Sequence, residues 1–304
     1  MIRRRRAVAA VSLLLALGGV LTFLLLPRPG TDAATARGGV ILSVPGGRSL
    51  SLTEAEARRI VAGSRPLPVP SQRVAVRGDA RITYRLDRRS ARRELAGRLA
   101  SDSGSVSVVE RPVSVRIRAP VVKQVYPNNC ETAALQMLLA TRGVEQTQRS
   151  LQSKLRRDGP LDPRTAPDGT KVWGDPNQGF VGRVEGGGVA GGFGVYGKPL
   201  IALADRWVEA VNLSGTQPAV IYRRLLSGHA VLAWTALADG PYETWRGPRG
   251  EPVTVNWGEH TVLLRGLTGG RLIVNDPLTG ERMTWTKAEF EEKWALLGRR
   301  AISA

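Results

Sequence analysis

The chain has 304 residues, enough for one or two domains, and 42% of them are hydrophobic, which excludes wholesale disorder. Its net charge is +18, and residues 1–120 carry most of it, with 22 basic and 8 acidic residues. A single cysteine, Cys130, excludes an intramolecular disulfide and a multi-cysteine metal site. Only two histidines, His229 and His260, are present, so a three-histidine metal centre is also excluded. We therefore expect no metal or cofactor, and a nucleophilic cysteine served by one histidine remains open.

The N-terminus predicts export. Arg3–Arg6 precede an uncharged apolar run, Ala7–Leu26, whose length matches a bilayer core of about 30 Å. Positive residues before such a run place that end in the cytoplasm and the rest outside. We expect a signal anchor over residues 1–26 and a linker over 27–38, which makes a single-pass membrane protein. A signal peptide cleaved after Ala34–Ala36, giving a secreted protein, is the alternative. Outside the cytoplasm, the basic front is expected to meet an anionic cell wall rather than nucleic acid.

Residues 39–118 predict a small basic α/β module without a catalytic constellation. Its strand–helix pattern resembles that of the peptidoglycan-binding domains that precede some exported cell-wall enzymes. The predicted elements are a strand over Gly39–Val44, a helix that begins at Thr53 with Glu56 completing a capping box, a strand over Arg81–Leu86, a helix capped by Asp87, and paired strands over Ser105–Val109 and Pro112–Ile117.

Residues 119–304 predict a second domain of the α+β class, because a helix comes first and strands follow. A Gly-rich stretch from Gly174 to Gly197 lacks the ending of a phosphate-binding loop, so we expect an ordered loop beside the substrate. The predicted elements are a helix over Cys130–Arg142 capped by Asn128 or Asn129 and stopped by Gly143, a short helix with Leu151 and Leu155, strands over Ala219–Tyr222, Ala230–Trp234, Thr261–Leu267 and Arg271–Asn275, and a final helix over Lys287–Leu297 with Phe290 and Trp294 on one face.

Cys130 lies at the first turn of its predicted helix, where unsatisfied backbone N–H groups and the helix dipole favour a thiolate. The alternative is a small buried hydrophobic residue, which is the usual place of a free cysteine. Gln124 lies six residues earlier, and its amide could join the Cys130 backbone N–H in an oxyanion hole.

A predicted hairpin brings a base and its partner together. If Leu267 pairs with Arg271 across a three-residue turn, His260 and Asp276 lie on one face at the open end of the hairpin. A two-residue turn would instead put them on opposite faces. Asp276 would orient the imidazole, and Asn275 is the alternative orienting group. His229 enters an apolar strand without a carboxylate partner, so we interpret it as structural.

Several ordered motifs resemble the bacteriocin-leader-peptidase-like cysteine peptidases, in their stand-alone branch without a transporter. The matching segments, within about residues 120–303, are Gln124, Cys130–Leu135, Met137–Leu139, Gly174–Gly182, Gly194–Tyr196, Glu259–Val262, Val274–Gly280, and Phe290, Trp294 and Gly298–Ile302. The resemblance implies a papain-like fold, a peptide or protein substrate, and catalytic roles for Gln124, Cys130, His260 and Asp276.

Two departures from the leader peptidases proper limit this resemblance. Glu131 stands where they have glycine, and the sequence contains no ATP-binding module, so coupled export is not implied. Two other functions remain open. One is a peptidoglycan peptide hydrolase or acyltransferase with the same triad, and the other is a non-catalytic wall-binding scaffold on this fold.

Overall fold

A computed structural model describes residues 39–101, 104–186 and 191–304. The predicted anchor or signal peptide and the linker lie outside these residues. Within the described residues, no helix has the length and hydrophobicity needed to cross a membrane.

The described residues form a mixed helix and sheet structure, in which seven helices pack with four sheets whose strands are mostly antiparallel. The strands are β1 (Val40–Val44), β2 (Arg48–Leu52), β3 (Gln72–Arg77), β4 (Ala80–Leu86), β5 (Gly104–Ser107), β6 (Glu110–Ile117), β7 (Arg164–Thr165), β8 (Lys171–Val172), β9 (Val181–Gly182), β10 (Gly192–Gly194), β11 (Val211–Asn212), β12 (Val231–Ala236), β13 (Tyr242–Arg246), β14 (Pro252–Asn256), β15 (Glu259–Thr268), β16 (Arg271–Asp276), β17 (Glu281–Thr286) and β18 (Ala301–Ser303). The helices are α1 (Glu54–Val61), α2 (Arg88–Ala100), α3 (Cys130–Ala140), α4 (Gln148–Lys154), α5 (Gly197–Ala204), α6 (Pro218–Leu226) and α7 (Lys287–Ala295).

The predicted helix starts in the N-terminal part are confirmed. Thr53 and Glu56 form the expected capping box at the start of α1, and the Asp87 side chain accepts from the Ser90 N–H at the start of α2. These helices pack with the β2-β1-β5 sheet around a small core of their own, in which Leu42, Ile60, Leu95 and Val106 are fully buried.

The predicted pairing of the two strands before residue 118 is wrong. β5 runs parallel to β1, whereas β6 pairs with β4 and with β15. Alternating residues indicate that a segment is a strand but do not identify its neighbour, and burial of Val115 and Ile117 against the larger core decides the place of β6. As a result, β3, β4 and β6 continue the nine-stranded sheet that contains β12, β15 and β16. The proposed domain limits at 39–118 and 119–304 stay a prediction.

Helix α3 is the central helix of the larger core. Leu135, Leu138 and Leu139 are fully buried as predicted, and the chain turns after the helix at Gly143, whose φ is 72°. The helix packs against β15 and β12, which brings its N-terminus close to His260 at the start of β15.

One predicted strand is a helix. Ala219–Tyr222 lies within α6, which has Pro218 in its first turn and buries Ile221 and Leu225 one turn apart. A short apolar run does not distinguish a strand from a buried helix, and the proline is the helix-start signal that decides it. The final helix is confirmed, with Phe290 and Trp294 buried and stacked at 5.2 Å between ring centroids.

Candidate active site

A cavity of about 120 Å³ lies at the N-terminus of α3. Three of the four site residues predicted from the sequence line it, namely Gln124, Cys130 and His260. The fourth, Asp276, is buried beside His260 and reaches it directly. Gly192 and Phe193 of the Gly-rich stretch also line the cavity, so this part of the predicted loop does flank the candidate site.

His260 and Asp276 are joined by a hydrogen bond of 2.6 Å between Nε2 and Oδ1. The predicted turn is wrong in detail, because Thr268 pairs with Arg271 and the turn contains only Gly269 and Gly270. Both glycines have positive φ, as a two-residue hairpin turn of this kind requires.

A bulge in β15 offsets the change of register that the short turn introduces. The register of β15 and β16 shifts between Leu264 and Gly266, which leaves Arg265 as an extra residue in β15. Beyond this bulge, Leu264 pairs with Val274 and Leu263 with Asn275. Because a bulge moves the register by one residue, the open end of the hairpin returns to the predicted alignment and the two side chains meet.

The hydrogen bond to Asp276 determines the tautomer of His260. With the Nε2 proton donated to the carboxylate, Nδ1 carries the lone pair and can accept a proton. Burial opposes ionisation of Asp276, but the hydrogen bond and charge of His260, with backbone N–H groups at Leu278 and Thr279, bring its pKa below the ordinary value. The carboxylate therefore stays charged and can stabilise an imidazolium.

The two alternative residues take other positions. The amide of Asn275 donates to the Pro120 carbonyl at 2.7 Å, so Asp276 is the group that orients the imidazole. His229 contacts the Ala304 carbonyl oxygen through Nδ1 at 3.0 Å. It lies six positions before Thr235, the β12 partner of His260, which puts the two histidines about 20 Å apart.

The expected thiolate is not the state that the geometry favours. The Cys130 thiol lies 3.5 Å from Oε2 of Glu131 and 3.9 Å from Oε2 of Glu259, and no hydrogen bond joins it to His260 among the described residues. Burial, followed by the charges of Glu131 and Glu259, raises the pKa of the thiol well above its ordinary value. Burial and these two negative charges outweigh the helix N-terminus on which the sequence prediction relied.

Gln124 lies at the cavity, but its amide is engaged elsewhere. Its Nε2 donates to the carbonyl oxygens of Tyr126 and Pro127, at 3.0 and 2.8 Å. Both N–H groups are therefore used, and Oε1 is buried without a hydrogen-bond partner. An oxyanion role for Gln124 stays a prediction that requires the amide to turn.

Sequence reasoning assigned no role to Glu259 and treated Glu131 only as a departure from the family pattern. Each is next in sequence to a predicted catalytic residue, Cys130 or His260, and this adjacency was the available signal. Both carboxyls line the cavity.

An aromatic cluster lies behind one wall of the cavity. The Lys171 ammonium lies 4.9 Å from the ring centroids of Trp173 and Trp245 and 5.6 Å from that of Trp257. Glu243 joins the cluster, because it pairs with Lys171 at 2.9 Å and accepts from the Trp257 indole N–H at 2.9 Å. These cation–π and charged contacts position Trp257 on the cavity wall.

The Peptidase_C39 like family matches residues 116–302, more than half of the chain. The chain belongs to this family. The family resemblance found in the sequence is thereby confirmed, and the match spans all four predicted site residues.

Two further proteins are similar to this Peptidase_C39 like chain. The uncharacterized protein YvpB of Bacillus subtilis (strain 168) is 29% identical over 180 residues, which is 58% of this chain and 68% of YvpB. A crystal structure described as that of a C39-like peptidase from Bacillus anthracis is 28% identical, with a TM-score of 0.52. That likeness covers 60% of this chain and 92% of the other.

Proposed function

We propose that this chain is a thiol peptidase in which Cys130 is the nucleophile and His260 the general base. The observation that carries the proposal is the hydrogen bond between His260 and Asp276 beside the cavity that contains Cys130. When Nε2–H donates to Asp276, Nδ1 of His260 carries the lone pair that a general base requires. Membership of a peptidase-like family supports the same chemistry.

The reaction proceeds by covalent catalysis. Nδ1 of His260 takes the thiol proton, and the Cys130 sulfur attacks the carbonyl carbon of the scissile peptide bond. The C–N bond breaks as His260 returns the proton to the leaving amine, and a thioester remains on Cys130. Water deprotonated by His260 then hydrolyses the thioester and restores the thiol. The Cys130 backbone N–H, joined by Gln124 once its amide has turned, stabilises the oxyanion.

Substrate profiling tests this function. The full chain is incubated with peptide libraries and with peptidoglycan fragments, and the products are identified by mass spectrometry. Cys130→Ala is the inactive comparison and His229→Ala the control, because His229 lies outside the cavity. We expect peptide cleavage by the parent chain and the control only. Cleavage confined to peptidoglycan peptides would move the assignment to a cell-wall hydrolase, and no turnover of either class would favour a non-catalytic scaffold.

A further inference from the structure

The thiol of Cys130 faces two carboxyl groups in the described structure. Its sulfur and one oxygen each of Glu131 and Glu259 all lie within 4.8 Å of one another. Glu131 is 1% exposed, and all three residues line the cavity.

In each glutamate, Oε1 accepts a hydrogen bond and Oε2 points to the sulfur. The Val195 backbone N–H donates to Oε1 of Glu131 at 2.6 Å. The Thr261 hydroxyl donates to Oε1 of Glu259 at 3.1 Å. A Cβ at position 194 would clash with Oε1 of Glu131, so the glycine at this position leaves room for the carboxyl. The arrangement is a built feature of the fold.

Two neighbouring carboxyls shielded from water do not both ionise, because each charge disfavours the other and the loss of hydration disfavours both. Burial raises the pKa of Glu131 to about 7. Burial and the charge of Glu131 raise the pKa of Glu259 well above its ordinary value. Near neutral pH the pair therefore retains at least one proton and carries at most one negative charge.

Other charged groups around the pair do not cancel this charge. Arg300 acts on Glu259 and lowers its pKa, but burial and Glu131 outweigh it. The Arg300 guanidinium itself stacks 3.8 Å from the ring centroid of Tyr196. Tyr196 is neutral, because burial raises the pKa of its phenol. His260, on the cavity wall, is engaged with Asp276 through Nε2.

We propose that Glu131 and Glu259 are positioning residues that hold the Cys130 thiol protonated and away from His260 between turnovers. The inference rests on the proposed function, in that it takes Cys130 as the nucleophile. In the resting state the S–H group donates to the carboxyl pair. A substrate that enters the cavity must displace the sulfur from the pair before Nδ1 of His260 takes the thiol proton. The pair keeps its own proton throughout, and the Asp276 carboxylate stabilises the imidazolium that forms when His260 takes the thiol proton.

Alkylation of Cys130 by iodoacetamide between pH 5 and 10 tests the proposal. The variants are Glu131→Gln, Glu259→Gln and the double variant, because glutamine keeps the Oε1 acceptor and removes the charge. Glu291→Gln is the matched control, since Glu291 also accepts from a hydroxyl, that of Tyr222, but does not line the cavity. We expect the double variant to react about tenfold faster or more at pH 7, which corresponds to a thiol pKa lowered by about one unit.

An unchanged or slower rate, with the midpoint of the pH profile at its parent value, would overturn the proposal. If the pair has only a structural role, its replacement by glutamine lowers the melting temperature and leaves that midpoint unchanged. If the double variant does not fold, Glu259→Gln alone decides the question, because it keeps the hydrogen bond from the Val195 N–H to Glu131. Alkylation needs no peptide substrate, so its outcome is independent of whether peptide profiling finds turnover.

Discussion

The Nε2 atom of His260 lies 2.6 Å from Oδ1 of Asp276, and an extra residue in the intervening strand makes this contact possible. Arg265 forms a bulge in β15, so the two strands that carry His260 and Asp276 change register between the turn and the open end of the hairpin. Without the bulge, the two-residue turn would place the two side chains on opposite faces of the sheet. The pairing of base and carboxylate is therefore a property of the hairpin as a whole.

Deleting Arg265 should separate His260 from Asp276. The deletion removes the bulge, and the register of the Gly269–Gly270 turn then extends to the open end. We expect peptidase activity to fall by about 10²-fold or more, since the base loses the partner that orients it. Arg265→Ala keeps the residue count and is the control, for which we expect most of the activity to remain. Equal losses in the two variants would show that the side chain, rather than the bulge, matters.

The two histidines should differ sharply when each is replaced. His260→Ala removes the proposed base, so the rate of acylation should fall by about 10²–10⁴-fold. His229→Ala removes a hydrogen bond to the Ala304 carbonyl, about 20 Å from the site, and should change the melting temperature more than the rate. Single-turnover kinetics on the full chain measure both effects. Loss of acylation in His229→Ala with its retention in His260→Ala would reverse the assignment.

The buried carboxyl of Glu131 should make the folded state less stable as the pH rises. Burial raises its pKa to about 7 from an ordinary value of 4.5. Between these two pH values the folded chain holds a proton that the unfolded chain has lost, so this group's contribution to stability falls with increasing pH. The shift corresponds to about 3 kcal/mol.

Urea unfolding of the parent chain and Glu131→Gln at pH 5, 6, 7 and 8 measures this contribution. The stability of the variant relative to the parent should increase with pH, whereas Glu291→Gln should keep a constant difference from the parent. A constant difference for Glu131→Gln as well would mean that Glu131 has an ordinary pKa in the folded chain.

Local patterns predicted the elements of this chain better than their arrangement. Capping residues located the starts of α1 and α2, and alternation located β4, β15 and β16, because these signals are local. The pairing of β6 with β15 depends on contacts between distant segments, and the Arg265 bulge has no signal in the sequence. The prediction that His260 meets Asp276 thus succeeded although its assumed turn was wrong.

The chemical state of Cys130 was harder to predict than its position. Its place at the start of α3 follows from the sequence, but the Glu131 and Glu259 carboxyls beside the thiol come from α3 and β15, which are far apart in the sequence. The helix terminus favours a thiolate by a modest amount, whereas burial beside negative charge disfavours it more strongly.

The sequence predicts that the described residues lie outside the cytoplasm. Arg3–Arg6 and the apolar run Ala7–Leu26 motivate this expectation. Two reporters fused after Ala304 test it. A reporter that works only outside the cytoplasm should be active, and one that works only in the cytoplasm should be inactive. The opposite pattern would contradict the expected topology, and a mature chain that starts near Arg37 would indicate a cleaved signal instead of an anchor.

The central claim is that Cys130 forms a covalent acyl intermediate with a peptide substrate. The most direct measurement is rapid acid quenching during turnover of a cleaved peptide, followed by mass spectrometry of the proteolytic fragment that contains Cys130. The account predicts a mass increase equal to the acyl half of the substrate, present in the parent chain and absent in His260→Ala. Peptide cleavage that continues in Cys130→Ala, or an adduct found on any residue other than Cys130, would contradict it.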